Sequence, residues 1–237
     1  MKRAIAIFLF ITAFATLMGL GTWQVKRLQW KNDIIAQLTE VYETDAAAVI
    51  FNFDDLKITN QDVPILYGSI KGRFDYTKEI LVGPRPYNRN IGYNVITPLA
   101  LRNGHILVNR GFIAESDKDQ IIATQAKGLI TVSGLLRQPD WNKFTPNNSP
   151  ENNVWTKLDI TQIASAKEIS PIAPLMMYTE KSSKNFGILK MQEAKWMPRN
   201  KHQQYAIFWF TMAFILCGFI GVYIRAQHKD KTKELTE

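Results

Sequence analysis

Two long apolar stretches bracket this chain, and the residues between them follow a different rhythm. Neither Ala4 to Val25 nor Gln203 to Ile224 contains a charged side chain. At ~1.5 Å rise per residue each run makes a helix of roughly 33 Å, enough to cross a bilayer core. The pattern predicts transmembrane helices over 4–25 and 203–224, an extramembrane domain over 26–201, and a tail over 225–237. Helical spacing continues beyond Val25, because Lys26 to Leu38 lacks Gly and Pro and places Leu28, Ile34, Ile35 and Leu38 at helical intervals.

From Ile65 the period shortens. Ile65–Asp75, Glu79–Arg85, Tyr93–Leu101, His105–Ile113, Gly128–Arg137, Val154–Leu158 and Ile172–Thr179 are short runs rich in β-branched and aromatic residues, with Gly, Pro and Asn between them. Asn103-Gly104 marks a hairpin between two of these runs. Ala46–Asn60 reads as an acidic connector, Gln138–Asn153 as a Pro/Asn-rich loop, and Asp159 as the cap of a short helix reaching Lys167. About six or seven strands in quick succession predict a β-rich (α+β) domain built on an antiparallel sheet or a partly closed barrel. The gaps between runs are too short for the crossover helices of a parallel sheet.

Composition sharpens this picture. One cysteine, Cys217, lies inside the second apolar run, so no disulfide forms within the chain and no CxxC-type zinc or copper site exists. The formal net charge is +8, with basic residues concentrated beside the apolar runs at Lys26, Arg27 and Lys31 and at Lys195, Arg199 and Lys201. Such charges suit anionic lipid head groups. No basic helix or nucleic-acid motif accompanies them, so nucleic acid is not an expected partner.

Met1-Lys2-Arg3 resembles the n-region of a signal peptide, but the apolar run continues past Ala15 to Gly21, which favours an uncleaved anchor. Lys2, Arg3 and the basic Arg225–Lys233 tail predict cytoplasmic termini and a central domain on the other side of the membrane. No Arg/Ser-rich presequence precedes the anchor, which points to the bacterial cytoplasmic membrane, with the domain in the periplasm.

Enzyme chemistry is sparse. No GxSxG, HExxH, P-loop or strand-linked GxGxxG occurs. Asp54/Asp55 sit in a polar connector, Ser116-Asp117 reads as a turn, His105 as a surface or packed strand residue, and His228 as part of a solvated tail. His202 differs, because it stands at the start of the second apolar run. On a helix it shares a face with Ala206, Ala213, Cys217 and Gly221, with Trp209 nearby. Small residues so spaced either pack against the first apolar helix or leave room for a flat ligand, and neutral imidazole is a good axial ligand for haem iron. Trp23, Arg27 and Trp30 share a face where the first run ends. They read either as interfacial belt residues or as a cation–π cluster near the same site.

Gly21-Thr22-Trp23-Gln24-Val25-Lys26-Arg27-Leu28-Gln29-Trp30-Lys31 resembles the opening signature of the surfeit locus protein 1 family. Gly72-Arg73-Phe74-Asp75, Gly83-Pro84-Arg85, Gly92 with Thr97-Pro98-Leu99, and Leu107-Val108-Asn109-Arg110-Gly111-Phe112 resemble its strands. Phe144-Thr145-Pro146-Asn147-Asn148, Trp155 with Asp159, and Asn200-Lys201-His202 through Phe210 resemble its later part. Phe112 and Ala114 stand where Trp and Pro are usual, and Phe208 replaces a polar residue often found there.

The resemblance implies a non-enzymatic assembly factor for haem–copper cytochrome c oxidase. It implies haem a as cofactor, with His202 as axial ligand; Trp23, Arg27, Trp30, Tyr205 and Trp209 are the candidate haem environment. The implied partners are oxidase subunit I, haem A synthase and the lipid bilayer. The alternative is a cofactor-free membrane scaffold that stabilises an oxidase assembly intermediate. The roles of Arg85 and Arg110, in binding or in fold, stay open at this stage.

Overall fold

The computed structural model describes residues 2–43, 45, 49–57, 65–181, 186–191, 193, 195 and 197–234, with backbone alone at 2–3 and 227–234. The side chain of His228 and parts of the 46–60 connector therefore lie outside the described residues. The chain divides into two compact units, Met1–Ala36 with Pro198–Glu237, and Gln37–Met197.

The first unit is helical. Helix α1 runs unbroken over Lys2–Tyr42, its last turns belonging to the second unit, and helix α3 runs over His202–Glu234. Over Ala4–Tyr42 and His202–Ala226 both are long and apolar enough to cross a membrane. Their apolar side chains are mostly exposed, including Phe8, Leu9, Phe214 and Phe219. A helix with apolar residues all round needs an apolar environment.

The second unit carries seven strands: β1 (Ile50–Phe51), β2 (Leu66–Phe74), β3 (Ile80–Tyr87), β4 (Asn90–Ala100), β5 (His105–Ala114), β6 (Ile130–Arg137) and β7 (Ile172–Thr179), with α2 (Ile160–Ala166) before β7. The sheet order is β1-β2-β6-β7-β5-β4-β3, and a further β2–β4 pairing closes β2, β6, β7, β5 and β4 into a ring. Five pairings are antiparallel, and short gaps join two of these pairs, β3–β4 and β4–β5. Two are parallel: β1 with β2, and β5 with β7. The sheet is thus mainly antiparallel, as expected, and the β5–β7 pair is a parallel exception. These strands are not neighbours in sequence, and the chain passes through β6 and α2 before β7 inserts beside β5.

Consecutive apolar residues in the strands have a physical cause. Ile106, Val108, Leu175 and Met177 point into one cluster with Ile70, Val95, Leu99, Val132 and Leu136. Leu107, Met176, Ile80, Val82 and Ile96 point to the other face, under Trp155, Leu158, Ile163 and Ile169. A sheet covered on both faces does not show the clean apolar–polar alternation of a half-exposed one.

The run at 154–158 is not a strand. It makes two isolated bridges, Trp155 with Val82 and Val154 with Ser149, and Gly83 N donates to Trp155 O at 2.8 Å. Its backbone is otherwise held by Asn148, whose Oδ1 accepts from Thr156 N and Lys157 N at 2.8 and 2.7 Å. A side chain supplies the partners that a neighbouring strand would have supplied. The segment between β5 and β6, read as a turn at Ser116-Asp117, forms a 3-10 stretch over Glu115–Thr124. Asp159 caps α2 as expected, accepting from Gln162 N at 3.0 Å.

Candidate functional site

His202 is the first residue of α3 and is half-buried. Its backbone N–H donates to Asn200 Oδ1 at 3.3 Å, and Asn200 Nδ2 donates to Asn32 Oδ1 on α1 at 2.9 Å. Its ring Nδ1 lies 2.7 Å from Oε1 of Gln24, a buried polar residue of α1 with 8% exposure. Among the described residues, ring Nε2 has no protein partner. The imidazole is therefore fixed from two sides, through its backbone by Asn200 and through Nδ1 by Gln24.

The helices come together here because their facing residues are small. A Cβ on Gly21 would meet the Phe210 ring at 2.6 Å, so only glycine permits that approach. Ala206 and Ala213 are buried at 5% and 2% exposure. On α1, Gly21 and Gln24 are the buried members of this face, three residues apart. The small stripe seen in the sequence is thus split. Ala206 and Ala213 are buried, whereas Cys217 and Gly221 are exposed.

None of the other residues singled out is hydrogen-bonded to His202 among the described residues. Trp23 and Trp30 are exposed at 53% and 44%, and the Arg27 guanidinium sits 3.7 Å from the Trp30 ring centroid. That cation–π pair realises the contact expected of the Trp23/Arg27/Trp30 face. Turning α1 by 100° per residue sets this face beside the Gln24 face rather than on it. Tyr205 is exposed, and Trp209 is half-buried with its ring 5.2 Å from Phe208.

Gln24 was not among the residues singled out. The available signal was an amide in an apolar helix, at helical spacing from Gly21, inside the Gly21–Lys31 signature.

Arg110 has a different role. It is fully buried and every nitrogen is used: Nε donates to Thr97 Oγ1 at 2.8 Å, Nη1 to Thr124 O at 2.8 Å, and Nη2 to Glu79 Oε2 at 2.6 Å. Thr97 Oγ1 makes a short bond to the same carboxylate oxygen, and the Phe74, Tyr76 and Phe186 rings surround the guanidinium. Gly111, at φ +131°, lets the returning chain approach, and Phe112 and Lys190 exchange two backbone bonds of 2.9 Å. The Asn109–Phe112 motif serves the fold. Arg85 ties β3 to Thr156 O at 3.1 Å.

The remaining polar groups have local tasks. Asp54 pairs with Lys57 and accepts from Asn103, and Asp55 accepts from Asn52 N. Ser116 Oγ lies 3.2 Å from Asp117 Oδ1, and His105 Nδ1 lies 3.3 Å from Pro171 O at the start of β5. The β unit has clefts of about 510 Å³, beside Glu79, Tyr93 and Trp155, and about 730 Å³, beside β1 and Arg73. Neither is lined by His202 or by the aromatic residues around it.

The sequence model described as the SURF1 family matches residues 11–214. A SURF1-like protein of Monosiga brevicollis is 31% identical over 229 residues, covering 90% of this chain and 85% of that protein. Surfeit locus protein 1 of Takifugu rubripes is 29% identical, covering 84% of this chain and 88% of that protein. Surfeit locus protein 1 of Homo sapiens is 28% identical, covering 86% and 71%.

Proposed function

This chain belongs to the SURF1 family, and from that premise we propose that it is a membrane-bound assembly factor for a haem–copper cytochrome c oxidase. It binds haem a through His202 and aids insertion of that haem into subunit I, after receiving it from haem A synthase. It binds and hands over rather than catalysing a reaction. In this reading α1 and α3 span a bacterial cytoplasmic membrane, with cytoplasmic termini and the β unit in the periplasm.

One observation carries the cofactor assignment. His202 is half-buried and held at Nδ1 by Gln24, and its Nε2 has no protein partner among the described residues. A single neutral imidazole with a spare ring nitrogen is a donor set that suits haem iron. Haem a would supply the iron and a flat apolar ring, and this chain would hold it through a ring nitrogen of His202. Trp209, Tyr205 and the Trp23/Arg27/Trp30 face offer aromatic surface and a cation on the same two helices. A single protein ligand at a half-buried site suits a carrier that must release its load.

A second reading has its own observation. Gly218 and Gly221 on α3 have nothing within 4 Å of an added Cβ. Small residues open to a neighbouring helix favour a scaffold that docks a partner's span without a cofactor.

Optical spectra separate the two. The full chain is co-expressed with haem A synthase and purified in detergent beside His202→Ala, with haem supply verified. A haem a spectrum in the native chain that is lost in His202→Ala is the expected result. No haem in the native chain overturns the carrier reading and leaves the scaffold.

A further inference from the structure

We propose that Gln24 is a positioning residue that fixes His202 as the Nδ1–H tautomer, so that the outer ring nitrogen, Nε2, carries the free lone pair. The tautomer itself does not depend on the cofactor; its use as a ligand-orienting device rests on the haem reading above.

A neutral imidazole has one donor and one acceptor nitrogen, and the partner of one nitrogen decides the role of the other. Gln24 Oε1 can only accept. At 2.7 Å from Nδ1 it requires a proton there, and Nε2 is left as the acceptor. Free histidine in water favours the opposite tautomer, so a partner has to enforce this one.

Gln24 is suited to the task. It is buried on α1, three residues from the close approach of Gly21 to Phe210, so its reach to α3 is set by helix packing. Its amide oxygen is used, and its NH₂ group is not among the fully buried unpaired polar atoms. The ring cannot escape by moving its backbone, because Asn200, anchored on Asn32, holds the His202 N–H. Partners of this kind orient a metal-binding histidine, and losing one weakens metal affinity roughly ten- to a hundred-fold.

The test is a nitrogen NMR spectrum of the full chain in detergent. The protein is haem-free and labelled with ¹⁵N-histidine, and the pH keeps imidazole neutral. With three histidines in the sequence, His202 is assigned by its loss in His202→Ala. The expected pattern is a protonated Nδ1 and a bare Nε2. Gln24→Met, similar in size but without the acceptor, moves the proton to Nε2. Gln24→Glu, which keeps an acceptor at the same reach, retains the proton on Nδ1.

A protonated Nε2 in the native chain overturns the proposal, because the Gln24 amide would then donate rather than accept. So does a pattern unchanged in Gln24→Met or lost in Gln24→Glu. Haem a titration of the same samples is expected to show roughly ten- to a hundred-fold weaker binding for Gln24→Met. If the native chain shows the Nδ1–H pattern but binds no haem a, the carrier reading fails and the tautomer assignment stands.

Discussion

The two units treat a polar side chain among apolar neighbours in opposite ways. In the β unit, Arg110 spends all of its nitrogens on Thr97, Thr124 and Glu79, inside a ring of aromatic side chains. In the helical unit, His202 spends one nitrogen on Gln24 and keeps the other. A saturated buried network has nothing left to offer a ligand. It locks strands β3, β4 and β5 to the 3-10 stretch before β6. A half-satisfied group at a helix end retains bonding capacity. Arg110 and His202 both lie within the stretch that the family model matches, yet one is saturated by its neighbours and the other is not.

The comparison breaks most visibly at Glu79. Glu79→Ala leaves the Arg110 charge buried with part of its network gone. The expected cost is about 3–5 kcal/mol, read as a lower thermal midpoint in detergent. His202→Ala is expected to leave that midpoint nearly unchanged while abolishing haem a. If Glu79→Ala unfolds no more easily than His202→Ala, the contrast between saturated and unsaturated groups is wrong.

A smaller effect sharpens the helical side. Gly21→Leu forces a side chain into the Phe210 ring, and overpacking of this kind costs about 1–3 kcal/mol. It also separates Gln24 from His202, so the Nδ1–H signal weakens. Phe210→Ala in the same chain makes room and is expected to restore both readouts. Failure to restore either one would show that the helices do not meet at Gly21.

The smallest effect concerns alkaline stability of the β unit. Burial pushes the Tyr178 hydroxyl from 10.0 up to about 12, with Arg137 opposing and Asp140 adding to the rise. A raised folded value means that the neutral phenol is favoured in the fold. Its contribution is present below pH 10 and is lost as pH climbs from 10 towards 12. Tyr178→Phe removes this titration, so its unfolding midpoint should fall less between pH 8 and 11 than that of the native chain. Burial and the bond to Glu180 raise Tyr67 as well, so the slope is reduced rather than abolished. An identical slope in both proteins would show that Tyr178 is solvated.

Much of the fold was legible because it rests on local patterns. Six of the predicted strands, the Asn103-Gly104 hairpin and the Asp159 cap depend on β-branched runs, turn residues and a side-chain acceptor within a few positions. The strand predicted at 154–158 failed because only Val154 and Trp155 make bridges, while Thr156 and Lys157 donate to the Asn148 side chain, a contact that no alternation encodes. The parallel β5–β7 pairing was missed because it joins strands distant in sequence. At the candidate site, His202 stood out as a lone imidazole beside an apolar run. Gln24 did not, since an amide in a helix gains meaning only from what faces it on another helix.

The sequence by itself determined the two apolar helices, the β-rich middle, the family and His202 as the residue to watch. These follow from composition, period and motif order, which are properties of neighbouring positions. Tertiary structure decided which buried polar groups are satisfied. It closed the Arg110 network, used Ala206 and Ala213 for packing, and set Gln24 against His202. Hydrogen bonds act over about 3 Å, and only the folded chain brings residues so far apart in sequence within that distance.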